Sequence, residues 1–315
     1  MSAYDEWQTA DFLPRALAWT DGVLGGLDRR RRGGPAWSRV RPWGHVLEIP
    51  TDGGMVWFKA VPEGSVEPVL HRVLAEEVAD DVARLLAVDE DRRWLLLGHA
   101  GVSLGEGVDD TQAGGLCAGD SFRAAMTAYA ILQGRVAHRI EELVARGLPD
   151  ARPHAMPGVF DRLHESLSRA AVDAADRDAI DLLDLIARAR PLVVDLAARL
   201  GAAGSVDHND LHPWNVMRNA PDAPPVFLDW GDAMAAHPYA SLLVPVRIAR
   251  LASRQAGDAV VDAYAAGCEE FDDGRYEAAL RLATVARAWT WQRSLVSDPG
   301  NTEYAGAALK WFARI

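Results

Sequence analysis

Between residues 36 and 61 three short runs alternate polar with apolar positions or are rich in β-formers: AWSRVRPW (36–43), HVLEIPT (45–51) and MVWFKAV (55–61). The stretches between them, PWGH and TDGG, hold glycine, so the runs predict an antiparallel meander. A helix is expected from about Glu67 to near Ala79, because Pro68 suits a first helical turn. RRWLLLG at 92–98 predicts one more strand. Further on the period changes. Phe122, Met126, Tyr129, Leu132, Val136, Ile140 and Leu143 recur at spacings of three and four, which predicts an amphipathic helix capped at Asp120 or Ser121 and stopped at Gly147. More helix is expected at about 157–189, after Pro191 and across much of 240–314. The pattern is that of an α+β chain: a small β-rich lobe at 1–98, then, after the Gly-rich connector GHAGVSLGEG begins, a larger helical lobe at 99–315.

Composition narrows the partners. The chain of 315 residues is 49% hydrophobic and 25% charged, with a formal net charge of -12. Such a surface repels nucleic acid and anionic lipid, and neither is an expected partner. Arg29 to Arg32 form a local basic run, read as a solvated loop. No stretch approaches the roughly 18 apolar residues of a spanning helix, and the opening MSAYDEWQTADF lacks the basic and apolar regions of a secretory signal. A cytoplasmic location without a membrane segment is therefore expected. Cys117 and Cys268 make no disulfide framework and are expected as small core residues.

The candidate chemistry lies in HNDLHPWNVM (208–217) and FLDWGD (227–232). Pro213 bars a helix interior, and PPVFLDW supplies a short strand ending on an aspartate. The polar groups thus fall in a loop and at a strand end. Three uses suit them: a zinc site from His208, Asp210 and His212; a base at Asp210 with Asn215 and Asp229 as oxygen ligands of Mg²⁺ on a nucleotide; or side chains that satisfy loop backbone groups. The spacing H-x-D-x-x-x-x-N followed by a second aspartate is that of the protein-kinase template. Asn209 stands where the template has arginine, and Trp230 where it has phenylalanine.

On these residues the chain resembles the aminoglycoside phosphotransferase and choline kinase group, whose pattern H-x-D-L-H-P-x-N and then I/L-D-W/F is matched by HNDLHPWNV and FLDWGD. The resemblance implies a protein-kinase-like bilobal fold and Mg²⁺-dependent transfer of the γ-phosphoryl of ATP or GTP to a small-molecule hydroxyl. It implies that Asp210 is the catalytic base, that Asn215 and Asp229 hold Mg²⁺, and that Lys59 meets the nucleotide phosphates. Glu67 is the expected partner of Lys59, with Glu76 and Glu77 as alternatives. Gly44 and His45 mark a reduced phosphate-covering turn, since no G-x-G-x-x-G precedes Lys59. His208 is expected to brace the loop, Asp232 to pair with a basic residue or face the substrate, and His212 and Trp214 to lie on the acceptor side. No A-P-E segment follows Asp229, which argues against a protein kinase. CEEFDDG (268–274) suits a cationic acceptor or a solvated helix end. The expected acceptor is an antibiotic of aminoglycoside or nucleoside type, with a role in antibiotic resistance, or an amino sugar. A metabolic sugar or choline-type kinase and a nucleotide-binding pseudokinase are the alternatives.

Overall fold

The computed structural model describes residues 2–220, 222–295, 298 and 300–315, with the backbone alone at Asp110. It divides into two compact units. The first comprises Met1–Ser103, Asn215–Gly231 and Leu295–Gly300; the second comprises Leu104–Trp214, Asp232–Ser294 and Asn301–Ile315. Both signature stretches are cut by this division, between Trp214 and Asn215 and between Gly231 and Asp232. Residues 215–231, which the sequence pattern assigns to the helical lobe, cluster with the amino-terminal sheet.

That sheet has strands β1 (Trp37–Arg41), β2 (Gly44–Thr51), β3 (Gly54–Ala60), β4 (Leu85–Asp89) and β5 (Trp94–Gly98) in the order β1-β2-β3-β5-β4. All neighbours are antiparallel, and the expected meander is its first three strands. The register places Leu47 opposite Phe58 and Phe58 opposite Leu96, while Val46, Lys59 and Leu95 share the next row. Because side chains alternate along a strand, these two rows face opposite sides of the sheet. The Phe58 side is covered by helices α1 (Ala3–Trp7) and α2 (Phe12–Gly26), whose Trp7, Phe12, Ala16 and Leu24 join Leu47, Ile49, Val56, Phe58, Trp94 and Leu96 in one core. Lys59 points to the other side, where helix α3 (Glu67–Glu77) begins.

Neither α1, α2 nor β4 follows from the pattern described above. α1 opens on a capping box in which Ser2 and Asp5 exchange bonds of 3.0 and 3.1 Å. α2 buries Phe12, Ala16, Thr20 and Leu24 at four-residue intervals.

In the second unit the expected helix over 120–147 divides. Helix α4 (Asp120–Val136) is followed by a 3₁₀ turn (Ala137–Arg139) and a short helix (Ile140–Ala145), and Gly147 ends the run at φ 103°. The stretch 157–189 is two helices, Met156–Asp173 and Arg177–Ala187. They are separated at Ala175 (φ 52°), and Asp176 caps the second by accepting from Ala179 N at 3.0 Å. The helix Arg190–Leu200 and the elements Leu243–Ala249, Arg254–Ala265, α5 (Asp273–Ser294) and Ala307–Phe312 follow. Residues 296, 297 and 299 of the expected helical span lie outside the described residues. Ser205–Asp207, Met234–Ala236 and Asp150–Ala151 form a small sheet. Among the described residues, no helix is long and apolar enough to cross a membrane. Cys117 is buried, Cys268 is half-buried, and neither is bridged.

Candidate functional site

In the first unit the sheet aims Lys59 at two carboxylates. Its Nζ donates to Glu67 Oε1 at 2.7 Å and to Asp229 Oδ1 at 2.6 Å. Burial alone would lower the ammonium's pKa, but Asp229 and Glu67 outweigh it and raise the pKa above its usual value. Glu67 lies in the first turn of α3, beside Pro68, and is 2% exposed. Its Oε1 also accepts from Trp230 N at 3.2 Å. Burial pushes its carboxyl up, with Lys59 opposing. Glu76 and Glu77, at the far end of α3, stand roughly 14 Å along the helix axis.

The strands Val216–Arg218 and Val226–Phe227 form a hairpin whose register sets Phe227 opposite Val216. Leu228 N donates to Asn215 O at 3.0 Å, so Asn215 and Asp229 leave the same end of this hairpin. Asp229 sits at φ 63°, a left-handed conformation that aspartate tolerates better than most residues. The glycine two positions on is needed for space: a Cβ on Gly231 would lie 3.2 Å from Glu67 Oε2. Asn215 is buried, and the side chain of Asp229 is about half exposed (49%).

Gly44 opens β2 directly after the two-residue turn at Pro42–Trp43, and a Cβ there would lie 3.7 Å from Lys59 Cε. His45 turns its ring into the core, stacked on Phe12 at 5.1 Å, with Nε2 3.0 Å from Ser38 Oγ. Its imidazole is thus part of the core of the first unit, on the side of the sheet away from Lys59.

In the second unit the loop after Ser205–Asp207 is tied down at each residue. Asp207 Oδ1 accepts from Ser241 Oγ at 2.7 Å and from Asn209 N at 2.8 Å, and burial raises its pKa to about 6. His208 is fully buried, and its backbone N donates to Tyr129 Oη at 2.8 Å. Asn209 adopts φ 61°, and its Nδ2 donates to Thr290 Oγ1. Asp210 then presents its two oxygens to different partners. Arg287 Nη2 donates to Oδ1 at 2.6 Å, and His212 Nε2 lies 3.3 Å from Oδ2. Burial would raise the carboxyl of Asp210, but Arg287, His212 and His208 outweigh it and hold it well below the usual carboxylate range.

Arg287 also donates through Nη1 to Asp232 Oδ2 and to Asn209 O, both at 2.8 Å. Asp232 is thereby paired with a basic residue. The His212 and Trp214 rings meet edge to face at 5.8 Å, and Trp214 packs over Gly105, where a Cβ would come within 2.6 Å of the indole.

Arg287, Thr290 and Asp207 were not singled out from the sequence. Arg287 had a visible signal: a charge inside LATVARAWTW, an otherwise apolar helical stretch, is unfavourable unless something pairs it. Among the described residues, no three His, Cys, Asp or Glu side chains converge to hold a metal.

An antiparallel sheet carrying a buried lysine–glutamate pair, followed by helices and an H-x-D-x-x-x-x-N loop, is the protein-kinase-like fold, here of the kinases that act on small molecules. The chain belongs to the phosphotransferase enzyme family, which it matches over residues 19–281. No curated protein matches it. Among solved structures it is similar to the ethanolamine kinase of Plasmodium vivax (TM-score 0.66, 11% identity, covering 97% of this chain and 88% of that one). It is similar also to the macrolide 2'-phosphotransferase MphH of Brachybacterium faecium (TM-score 0.61, 16% identity, 95% and 98% covered). A third is the phosphotransferase APH(2")-IIIa, solved with GDP and kanamycin (TM-score 0.57, 12% identity, 94% and 97% covered). At these identities the likeness is one of fold.

Proposed function

We propose that the protein transfers the γ-phosphoryl group of ATP or GTP to a hydroxyl of a small molecule, with Mg²⁺ as cofactor. The observation that carries this is Lys59, held at 2.7 and 2.6 Å between Glu67 and Asp229. A buried ammonium oriented by one acid and shared with the aspartate of the D-W-G stretch is the arrangement that meets nucleotide phosphates in this fold. The GDP bound to a structural neighbour is in keeping with a nucleotide donor.

Asn215 and Asp229 offer hard oxygen donors from one end of a hairpin, a set that suits an ion usually held by one or two carboxylates together with substrate phosphates. Lys59 donates to Asp229 Oδ1, which fixes the carboxylate at the end of this hairpin. Bound there, Mg²⁺ would supply positive charge to offset that of the nucleotide phosphates.

Asp210 orients the acceptor hydroxyl and takes its proton as the oxygen–phosphorus bond forms and the nucleoside diphosphate departs. A carboxylate held so far below its usual range is a weak base. It suffices because the transition state is loose and rewards positioning over basicity.

The surroundings of Asp210 bear on the acceptor. Asp232 is engaged by Arg287, and Asp273 opens α5 about 21 Å of helix from Arg287, with Glu269, Glu270 and Asp272 just before it. Asp210 itself meets Arg287 and His212, behind which stand Trp291, whose ring centroid lies 5.6 Å from the guanidinium, and Trp214, edge to face with His212. Rings of this kind suit stacking on a sugar or base, and a ring face also attracts a cation, so amino sugars and aminoglycosides stay within the acceptor class.

The test is incubation with Mg²⁺ and γ-labelled ATP or GTP against macrolides, nucleoside antibiotics, amino sugars, aminoglycosides, neutral sugars and choline, with Asp210→Ala as blank. Label on an acceptor from the wild type alone supports the proposal. Nucleotide binding with no transfer to any acceptor or to water would move it to a pseudokinase.

A further inference from the structure

We infer that Arg287 is the positioning residue for Asp210, reaching it from a distant helix. This rests on Asp210 acting as proposed above. The template has arginine at the position before the aspartate. Here that position is Asn209, buried in a left-handed conformation at φ 61° that asparagine adopts more readily than arginine. The guanidinium arrives from α5, 77 residues beyond Asp210.

The contacts are those of a clamp. A single buried guanidinium reaches three points: Asp210 Oδ1 at 2.6 Å, Asn209 O at 2.8 Å and Asp232 Oδ2 at 2.8 Å. Thr290, one turn further along α5, receives Asn209 Nδ2, so the same helix face holds the side chain of Asn209, its carbonyl and the next carboxylate. Nη2 takes one oxygen of Asp210, and the other, Oδ2, faces His212 at 3.3 Å. Rotation of the carboxylate is thereby restricted, which fixes the direction in which Asp210 meets the acceptor hydroxyl. An ammonium could pair with Asp210 or Asp232, but it lacks the planar fork that reaches both and the carbonyl together. The Arg287–Asp232 pair also explains why an acid stands three residues after Asp229: it holds the far side of the fork.

The test compares the wild type with Arg287→Met, Arg287→Lys and Asp232→Asn. Phosphoryl transfer is measured to the acceptor and to water, alongside hydrogen exchange at residues 207–212, so that a failure of the kinase proposal is told apart from a failure of this one. Arg287→Met is expected to lower kcat by about 100-fold, the usual penalty for a misplaced reacting group, with nucleotide KM changed by less than about two-fold. Amides of 207–212 should exchange faster while those of α4 do not. Added guanidinium ion should restore part of the rate, and Arg287→Lys should fall between wild type and Met.

Wild-type kcat in either Arg287 variant would overturn the inference. So would kcat, KM and exchange across the whole second unit worsening together without rescue by guanidinium, since Arg287 would then only hold the fold. Should the Met variant not fold, Arg287→Lys decides, its expected loss in kcat being about 10-fold. If the wild type transfers phosphoryl to nothing, exchange at 207–212 still reads whether the clamp exists.

Discussion

Replacing Lys59 by methionine keeps most of the side chain's volume and removes the cation paired with Glu67. The two carboxylates are not left in the same position. Asp229 is half exposed and can rehydrate, whereas Glu67 is 2% exposed and retains only the Trp230 N–H as a described donor to Oε1. Breaking a buried ion pair by removing one partner costs about 3–5 kcal/mol at a pH where the remaining group stays charged. Glu67 can escape that cost by holding a proton. Its carboxyl already lies above its usual value through burial, with Lys59 opposing, and loss of Lys59 raises it further. The sign follows: with a folded pKa above the unfolded value of about 4.3, stability is highest below that value and falls as pH rises towards the folded pKa, by up to ~1.4 kcal/mol per pH unit. The variant should therefore lose about 1 kcal/mol near pH 5 and about 4 kcal/mol at pH 8, a large share of an ordinary 5–15 kcal/mol. Urea unfolding read by tryptophan fluorescence from pH 5 to 8, without nucleotide or metal, measures this. A Lys59→Met penalty that is the same at both ends within about 0.5 kcal/mol would refute it, as would failure of Glu67→Gln to flatten the variant's profile.

Asp210→Ala is expected to reduce transfer by about 10³-fold or more while leaving Mg-nucleotide affinity nearly intact, whereas Asp229→Ala should weaken that affinity as well; isothermal titration with a non-hydrolysable analogue and the label assay separate the two. His45, His71 and His237 are buried and held neutral, burial lowering each to about 4. A folded pKa below the unfolded 6.5 means that stability is present above 6.5 and lost as pH falls, by up to ~3 kcal/mol per histidine at pH 4, so denaturant midpoints should drop steeply between pH 6.5 and 4, and a flat profile would reject this. Gly101 sits at φ 95°, and a Cβ there would lie 2.1 Å from Arg218 O. Gly101→Ala should therefore cost at least ~3 kcal/mol by thermal or urea unfolding, and a variant within ~1 kcal/mol of wild type would mean that the backbone relaxes there.

The strands over 37–60 and 94–98 were legible because alternation and glycine turns act locally, and α3 because proline marks its start. α2 was legible in principle through Phe12, Ala16, Thr20 and Leu24, a spacing weakened by the glycines and polar residues around it. β4 was harder. LLAVD has five half-buried positions and no alternation, and it becomes a strand through pairing with β5 across a bulge at Leu85 and Ala87. The breaks at 137 and 175 were hidden because alanine carries no signal of its own; Ala175 takes φ 52° because Asp176 caps the next helix from that side.

The candidate site divides along the same physical line. Asp210, Asn215 and Asp229 are tied to a motif because the chemistry needs those groups at fixed offsets along one continuous stretch. Lys59 and Glu67 are eight residues apart, at the end of one strand and the start of the next helix, and the sheet register together with Pro68 makes their meeting predictable. Arg287 obeys neither constraint. Nothing in residues 208–232 specifies which of the many arginines will reach Asp210, since that partner is chosen by how α5 packs, and packing is decided by Thr290, Ala286 and the other buried positions of that helix. What the sequence did carry was a charge among buried residues at 287, unfavourable alone. Its partners, Asp210, Asp232 and the carbonyl of Asn209, all lie in the two signature stretches. A buried charge without a local partner is best read as one end of a contact whose other end is a motif.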